Sequence, residues 1–211
     1  MTDLRNIEVF FFDFDGTLKY SDIVKGKTFF EIFGNKINNK VKNKIFLHHK
    51  NNLGTPRSEK IPYYMKLSGI KITKQNKIYY LKKYRNLVLK KVCKSKWVPG
   101  SKLFLRKIRD KRVILLTASP HREIHKIINY IKIKNFFEKV YGYPNKKDNI
   151  IKNFLLKNKI NSNKCIYFGN SSSDFYAAFK NKVQYINIGP IKIKGKKIKK
   201  IKDFRKKFLV N

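Results

Sequence analysis

Acidic residues are scarce in this chain. Only 13 Asp and Glu stand against 51 Lys and Arg over 211 residues, a formal net charge of +38. Cysteine is scarcer still. Cys93 and Cys165 lie far apart and form no CxxC pair, which excludes a disulfide framework and a structural zinc ribbon and leaves two buried thiols as the expectation. No apolar run approaches the roughly 20 residues that cross a bilayer. The opening segment MTDLRNIEVFFFDFDG carries acids where a secretory leader carries a basic region, so the expectation is a soluble cytoplasmic protein with no membrane partner. No internal repeat is present. Against these absences stand a hydrophobic fraction of 42% and 14% aromatics, too many for a disordered chain. The length allows one domain with an inserted subdomain.

A charge of +38 attracts polyanions, anionic membrane surfaces and phosphorylated small molecules. Its distribution argues against a dedicated nucleic-acid arm. Lys recurs along the whole chain beside Asn and Ile, as in NKINNKVKNKI and IIKNFLLKNKINSNK, and all three residues have AT-rich codons. Codon bias therefore accounts for the charge, and no specific nucleic-acid partner is expected. The positive surface still favours a phosphorylated substrate.

The run Ile7 to Phe12 is apolar apart from Glu8 and ends in an Asp- and Gly-bearing turn, the pattern of a parallel strand buried on both faces. From 21 to 97 the apolar residues fall instead at helical spacing, as in Ile78, Leu81, Tyr84, Leu87, Val88 and Val92, with one break around Leu53 to Ser58. Beyond Pro99 and Gly100 strands and helices alternate. Strands are expected at Val113 to Leu116, Val140 to Gly142, Cys165 to Phe168 and Val183 to Ile188. Helices are expected at Pro120 to Lys132, with Pro in its first position, at Asp148 to Lys157 and at Ser173 to Phe179. The fold class is α/β, a doubly wound parallel sheet formed by 1–20 and 98–211, with a helical insertion at 21–97. In the Lys-rich tail IKIKGKKIKKIKDFRKKF, the Ile and Phe residues can pack on a sheet edge or helix face.

Four segments fall after strands of this sheet and so converge on one crevice: Asp13 to Thr17, Thr117 to Ser119, Lys147, and Gly169 to Asp174. A carboxylate at a rigid strand end can attack phosphorus. A second carboxylate two residues on, past the turn that Gly16 permits, can protonate the leaving oxygen and later activate water. The Thr117 hydroxyl with the amides of Ala118 and Ser119, where a helix begins, can cradle a phosphate. A Lys offsets charge on the transferring group, and oxygens after the fourth strand complete a Mg²⁺ site.

FFDFDGTL, LLTASP, GYPNKK and IYFGNSSSDFYAA resemble, in order and place, the four motifs of the haloacid dehalogenase superfamily, in particular its phosphoglycolate-phosphatase-like members with a helical cap. The resemblance implies Asp13 as nucleophile, Asp15 as acid and base, Thr117 as phosphate-binding hydroxyl, Lys147 as the stabilising cation and Asp174 as a metal-site residue. Lys146 could replace Lys147. An acid at Asp15 favours phosphatases and phosphomutases over the ATPases of the family. The chain departs from the pattern at Asn170, where the family carries Asp on the metal. The implied Mg²⁺ set is Asp13, Asp15 through its backbone carbonyl, Asn170 and Asp174, short by one negative charge.

By the same resemblance the cap selects the leaving group, through the loop Gly54 to Lys60, with Arg57 and Lys60 as substrate contacts; a merely solvated basic turn is the alternative. Asn170 and Asp174 could equally cap the following helix, and Thr117 alone could be a capping hydroxyl. His48, His49, His121 and His125 include an i,i+4 pair but lack acids or Cys at metal spacing, so solvent or substrate-rim positions are expected. Phe29, Phe30, Phe33, Tyr79, Tyr80 and Tyr84 are expected in the core of the cap. The function implied is Mg²⁺-dependent hydrolysis of a small phosphorylated sugar or phosphoglycolate-like acid through an aspartyl-phosphate. The rivals are a phosphomutase, a nucleotide or nucleic-acid-end phosphatase, and a non-catalytic binding module on a decayed metal site.

Overall fold

The computed structural model describes residues 2–189, 193, 195–206 and 208–210. In chain order the elements begin with β1 (Thr2–Asp3), β2 (Val9–Phe12), α1 (Ser21–Glu31), α2 (Asn39–Asn51), α3 (Arg57–Leu67) and α4 (Lys74–Lys94). Next come α5 (Ser101–Lys107), β3 (Arg112–Pro120), α6 (His121–Tyr130), β4 (Lys139–Tyr143) and α7 (Lys147–Asn158). The chain closes with β5 (Cys165–Gly169), α8 (Ser172–Lys180), β6 (Gln184–Ile188), β7 (Lys199–Ile201) and β8 (Phe208–Leu209). Two compact units result, one from Met1–Tyr20 with Lys96–Asn211 and the other from Ser21–Ser95. Lys96 and Trp97, placed with the insertion on sequence grounds, side with the first unit. There Lys96 accepts a hydrogen bond from the Tyr20 amide at 2.9 Å, and Trp97 bridges Lys19 antiparallel.

The first unit is built on a six-stranded sheet in the order β4-β3-β2-β5-β6-β7, with every pairing parallel. Alternation along β2 explains its central place. Val9 and Phe11 enter one face with Ile151, Phe154, Tyr167 and Ala178. Phe10 and Phe12 enter the other, against Phe104, Phe168 and Phe204. All four residues of β2 are fully buried, each worth roughly 2 kcal/mol of removed apolar surface. The register sets Phe12 opposite Phe168, with rings 5.1 Å apart, so the ends of β2 and β5 are locked level with each other. Phe204 and Phe208 of the tail pack on Phe104, and β7 extends the sheet at its β6 edge. Residues 190–192, 194 and 207 of that tail lie outside the described residues.

Several boundaries move from the sequence expectation. Ile7 precedes β2 in irregular chain, although it is buried. Pro120 ends β3 and stands at the N-cap of α6, ahead of the first helical residue. Lys147 opens α7 where a loop was expected.

Within the second unit the described elements are helical. Tyr80, Tyr84, Val88 and Val92 recur every four residues along the buried face of α4, whereas Ile78 of the expected set is exposed. Phe29 packs on Tyr84 at 4.3 Å and on Tyr64 at 5.1 Å, and Phe33 packs on Tyr80. Tyr79, assigned to this core from sequence, is exposed.

Candidate active site

Asp13 leaves the carboxyl end of β2, its amide bonded to the Phe168 carbonyl of β5 at 2.9 Å, and its side chain is buried. Gly16 turns the chain back with φ +78, a conformation that favours glycine, and its amide donates to the Lys19 carbonyl at 2.7 Å. That turn brings Asp15 opposite the end of β3, where its Oδ2 accepts from the Ser119 hydroxyl at 3.2 Å and the Thr117 hydroxyl at 3.4 Å. Thr17 donates weakly to Asp13 Oδ2 at 3.4 Å. The Ser119 amide, read from sequence as a free phosphate donor, is bonded at 3.1 Å to the Thr117 hydroxyl.

Lys147 is the cation of this cluster. Its ammonium donates to Asp13 Oδ1 and to Asp174 Oδ1, each at 2.6 Å. Lys146 stands one residue earlier, at the N-cap of α7. Burial pushes the Asp13 carboxyl up to about 7, Lys147 opposes that rise, and the charges of Asp174 and Asp15 add to it. Burial works against the Lys147 charge as well, but two carboxylates outweigh it and hold the ammonium above its ordinary range. One cation thus serves two acids, which is why the lysine gains from the pairing while Asp13 remains costly to ionise.

Asp174 is fully buried and both its oxygens are taken. Oδ1 accepts from Lys147 and from the Tyr167 hydroxyl at 2.9 Å. Oδ2 accepts from the Asn170 amide at 3.1 Å, the Ser171 amide at 3.0 Å and the Ser171 hydroxyl at 2.6 Å. Ser171 and Asp174 form a reciprocal capping box at the start of α8, so the cap expected of Asn170 belongs to Ser171. The approach is close enough that a Cβ on Gly169 would lie 2.5 Å from the Asp174 Cβ, which confines position 169 to glycine.

The first unit therefore brings together Asp13, Asp15, Thr117, Ser119, Lys147 and Asp174, while Ala118 is part-buried on β3 beside them and Asn170 is buried on the loop after β5. Arg57 and Lys60 lie on the second unit, on the first turn of α3, so this part of the expected loop is helical. The Arg57 guanidinium stacks over the Tyr84 ring at 4.8 Å. Lys60 is buried, its ammonium donating at 3.2 Å to His49 Nδ1, while His49 Nε2 donates at 3.0 Å to the Asp22 carbonyl. That pair of partners fixes the neutral tautomer of His49 and moves this residue from the expected rim into the interior. The rings of His121 and His125 sit 4.5 Å apart on α6.

Sequence reasoning missed Tyr167 and Ser171. The signal for Ser171 was present, a Ser followed three residues later by an acid at a helix start. For Tyr167 the only hint was one hydroxyl in the apolar strand CIYFG.

A doubly wound parallel sheet with two acids after its central strand and a lysine bridging to a third acid defines a hydrolase core of the haloacid dehalogenase type. The haloacid dehalogenase-like hydrolase family matches residues 10–188, and the chain belongs to that family. In fold it is similar to a predicted phosphoglycolate phosphatase from Haemophilus somnus 129PT, at 14% identity and TM-score 0.75, covering 94% of this chain and 95% of that one. It is also similar to a beta-phosphoglucomutase from Clostridium difficile, at 18% identity and TM-score 0.64, covering 87% and 85%. A third similar structure is YfnB from Bacillus subtilis, solved bound to magnesium, at 12% identity and TM-score 0.72, covering 93% and 95%. Among curated protein sequences, none matches the chain. Among the described residues no helix is long and apolar enough to cross a membrane.

Proposed function

We propose that this hydrolase cleaves a small phosphomonoester, a sugar phosphate or phosphoglycolate-like acid, with Asp13 as nucleophile. The observation that carries the reading is the buried Asp13 carboxylate, fixed at a strand end with Lys147 on one oxygen at 2.6 Å and, among the described residues, only the weak Thr17 contact on the other. Asp13 Oδ2 attacks phosphorus as the bond to the leaving oxygen breaks, giving an aspartyl-phosphate. Asp15 delivers its proton to the leaving oxygen, so the alcohol departs neutral. Asp15, now a carboxylate, takes a proton from water, whose oxygen attacks the same phosphorus and frees Asp13 and inorganic phosphate. Lys147 offsets charge on the transferring group throughout. Thr117 and Ser119 orient Asp15 through their hydroxyls.

The family implies Mg²⁺ here. Among the described residues no group of three or more His, Cys, Asp and Glu is set to hold a metal ion. The oxygens present nevertheless fit this cation, which binds through one or two carboxylates plus substrate phosphate. Asp13, the Asp15 backbone carbonyl and the Asn170 side-chain carbonyl would hold it, where it would neutralise phosphate charge. Asp174, with both oxygens engaged, serves better as the anchor of Lys147 and of the loop than as a ligand.

Arg57 and Lys60 are the proposed recognition groups for the organic part of the substrate. The test is hydrolysis of a panel of phosphorylated sugars, organic acids and nucleotides with and without Mg²⁺. Turnover of a small phosphomonoester that requires Mg²⁺ and disappears in Asp13→Asn is the expected outcome. A bisphosphorylated intermediate would reassign the chain as a mutase, and no turnover on any substrate would reject the proposal.

A further inference from the structure

Tyr167 is fully buried in β5, between Ile166 and Phe168, and it spends its hydroxyl on a single acceptor already claimed by a cation. Asp174 Oδ1 receives the phenol at 2.9 Å and the Lys147 ammonium at 2.6 Å. The phenol cannot change roles within any working pH range: burial first, then the charges of Asp174 and Asp13, hold its proton on. It is a permanent neutral donor. Lys147, by contrast, has two acceptors at the same 2.6 Å distance, Asp13 Oδ1 and Asp174 Oδ1. How it divides between them depends on how much negative charge each oxygen presents.

We infer that Tyr167 is a positioning residue that sets this division: by donating to Asp174 Oδ1 it weakens that oxygen's hold on Lys147 and leaves the ammonium directed at Asp13. The other Asp174 oxygen is saturated by Asn170 and Ser171, so it offers Lys147 no alternative. Without the phenol, Oδ1 would regain its full charge in a low-dielectric interior and draw the ammonium off Asp13. The consequence for turnover rests on Asp13 being the nucleophile. The division of Lys147 does not, because it belongs to the protein's own side chains.

Tyr185 supplies the control. It lies opposite Tyr167 on β6 and is a half-buried phenol whose hydroxyl donates to Asn187 Oδ1 at 3.0 Å, with the Ser171 carbonyl 3.5 Å away, and makes no hydrogen bond to Asp174. Two readouts separate positioning from support. The first is the side-chain ¹⁵N resonance of the Lys147 ammonium in protein freed of divalent metal by chelation, assigned by its loss in Lys147→Arg. Tyr167→Phe should shift that resonance, and Tyr185→Phe should leave it in place. The second is hydrolysis of the substrate found by the panel. Tyr167→Phe should lower kcat by about tenfold, the scale of one hydrogen bond to a charged group, with KM within about twofold. Replacing Tyr167 by 3-fluorotyrosine keeps the hydroxyl, strengthens it as a donor, and should move the Lys147 resonance the opposite way; it tests the same claim if the Phe variant does not fold. A Lys147 resonance indifferent to both changes, or an equal fall in kcat for Tyr167→Phe and Tyr185→Phe, would overturn the inference. A protein that hydrolyses nothing would reject the phosphatase reading while the resonance still decides the role of Tyr167.

Discussion

Lys147 of the α/β unit and Lys60 of the helical unit have different neighbours. In the α/β unit Lys147 sits between two carboxylates at 2.6 Å, and the second of these is itself held by a phenol, two amides and a hydroxyl. Within the helical unit Lys60 meets a neutral imidazole and lies 5.8 Å from the Phe29 ring, and Arg57 lies over Tyr84. A charge-on-charge network in a buried strand-end crevice is rigid and costly to disturb, as chemistry at phosphorus requires. The ring contacts of Arg57 and Lys60 are weaker one by one, about 1 kcal/mol each. Substitutions in the first unit should therefore change rate, and those in the second should change preference.

The largest effect expected short of the nucleophile itself is at Lys147. Lys147→Ala leaves Asp13 and Asp174 without their shared cation and should lower kcat by roughly 10²-fold or more. A fall below threefold would mean that the lysine is structural and would dissolve the contrast. Asn170→Asp restores a negative charge near the proposed Mg²⁺ ligands and should lower the half-saturating Mg²⁺ concentration by roughly tenfold in a titration against turnover. An unchanged or raised value would remove Asn170 from the metal. Arg57→Ala should change relative kcat/KM between a sugar phosphate and a phosphorylated acid by about fivefold. If every substrate falls by one common factor, the helical unit does not discriminate.

The smallest effect is one of stability. In metal-free protein the folded-state value for Asp13, about 7, lies above the unfolded value near 3.8, so its neutral form favours folding. That contribution is complete below about pH 4 and is lost as pH rises through about 7. Asp13→Asn stays neutral and should melt about 2–4 °C above wild type at pH 8, with a narrower gap at pH 5. A gap that widens on acidification would show that Lys147 outweighs burial and the neighbouring acids at this position.

The parallel core was legible because β2 reads VFFF between polar flanks and because acids are rare enough for Asp13 and Asp15 to stand out. Lys147 was legible only through resemblance, since one lysine among 51 Lys and Arg carries no signal of its own. The rest was hidden for physical reasons. The periodicity put Ile78 at helical spacing without saying which face it takes, and Tyr79 was expected in the core, whereas the structure exposes both. His49 looked like a surface residue because nothing in a linear pattern brings Lys60 and the Asp22 carbonyl to its two ring nitrogens. Tyr167 was invisible as anything but core, since its role depends on a helix cap seven residues away closing back onto the strand.

The central claim is that Asp13 itself carries the phosphoryl group, and borohydride trapping tests it most directly. Quenching turnover with borohydride reduces an acyl phosphate to the alcohol, expelling phosphate, and the modified peptide can be found by mass spectrometry. The account predicts one reduced residue, Asp13, formed only in the presence of substrate and Mg²⁺ and absent in Asp13→Asn. Sustained turnover with no reduced carboxylate, or with the modification on Asp15, would contradict it.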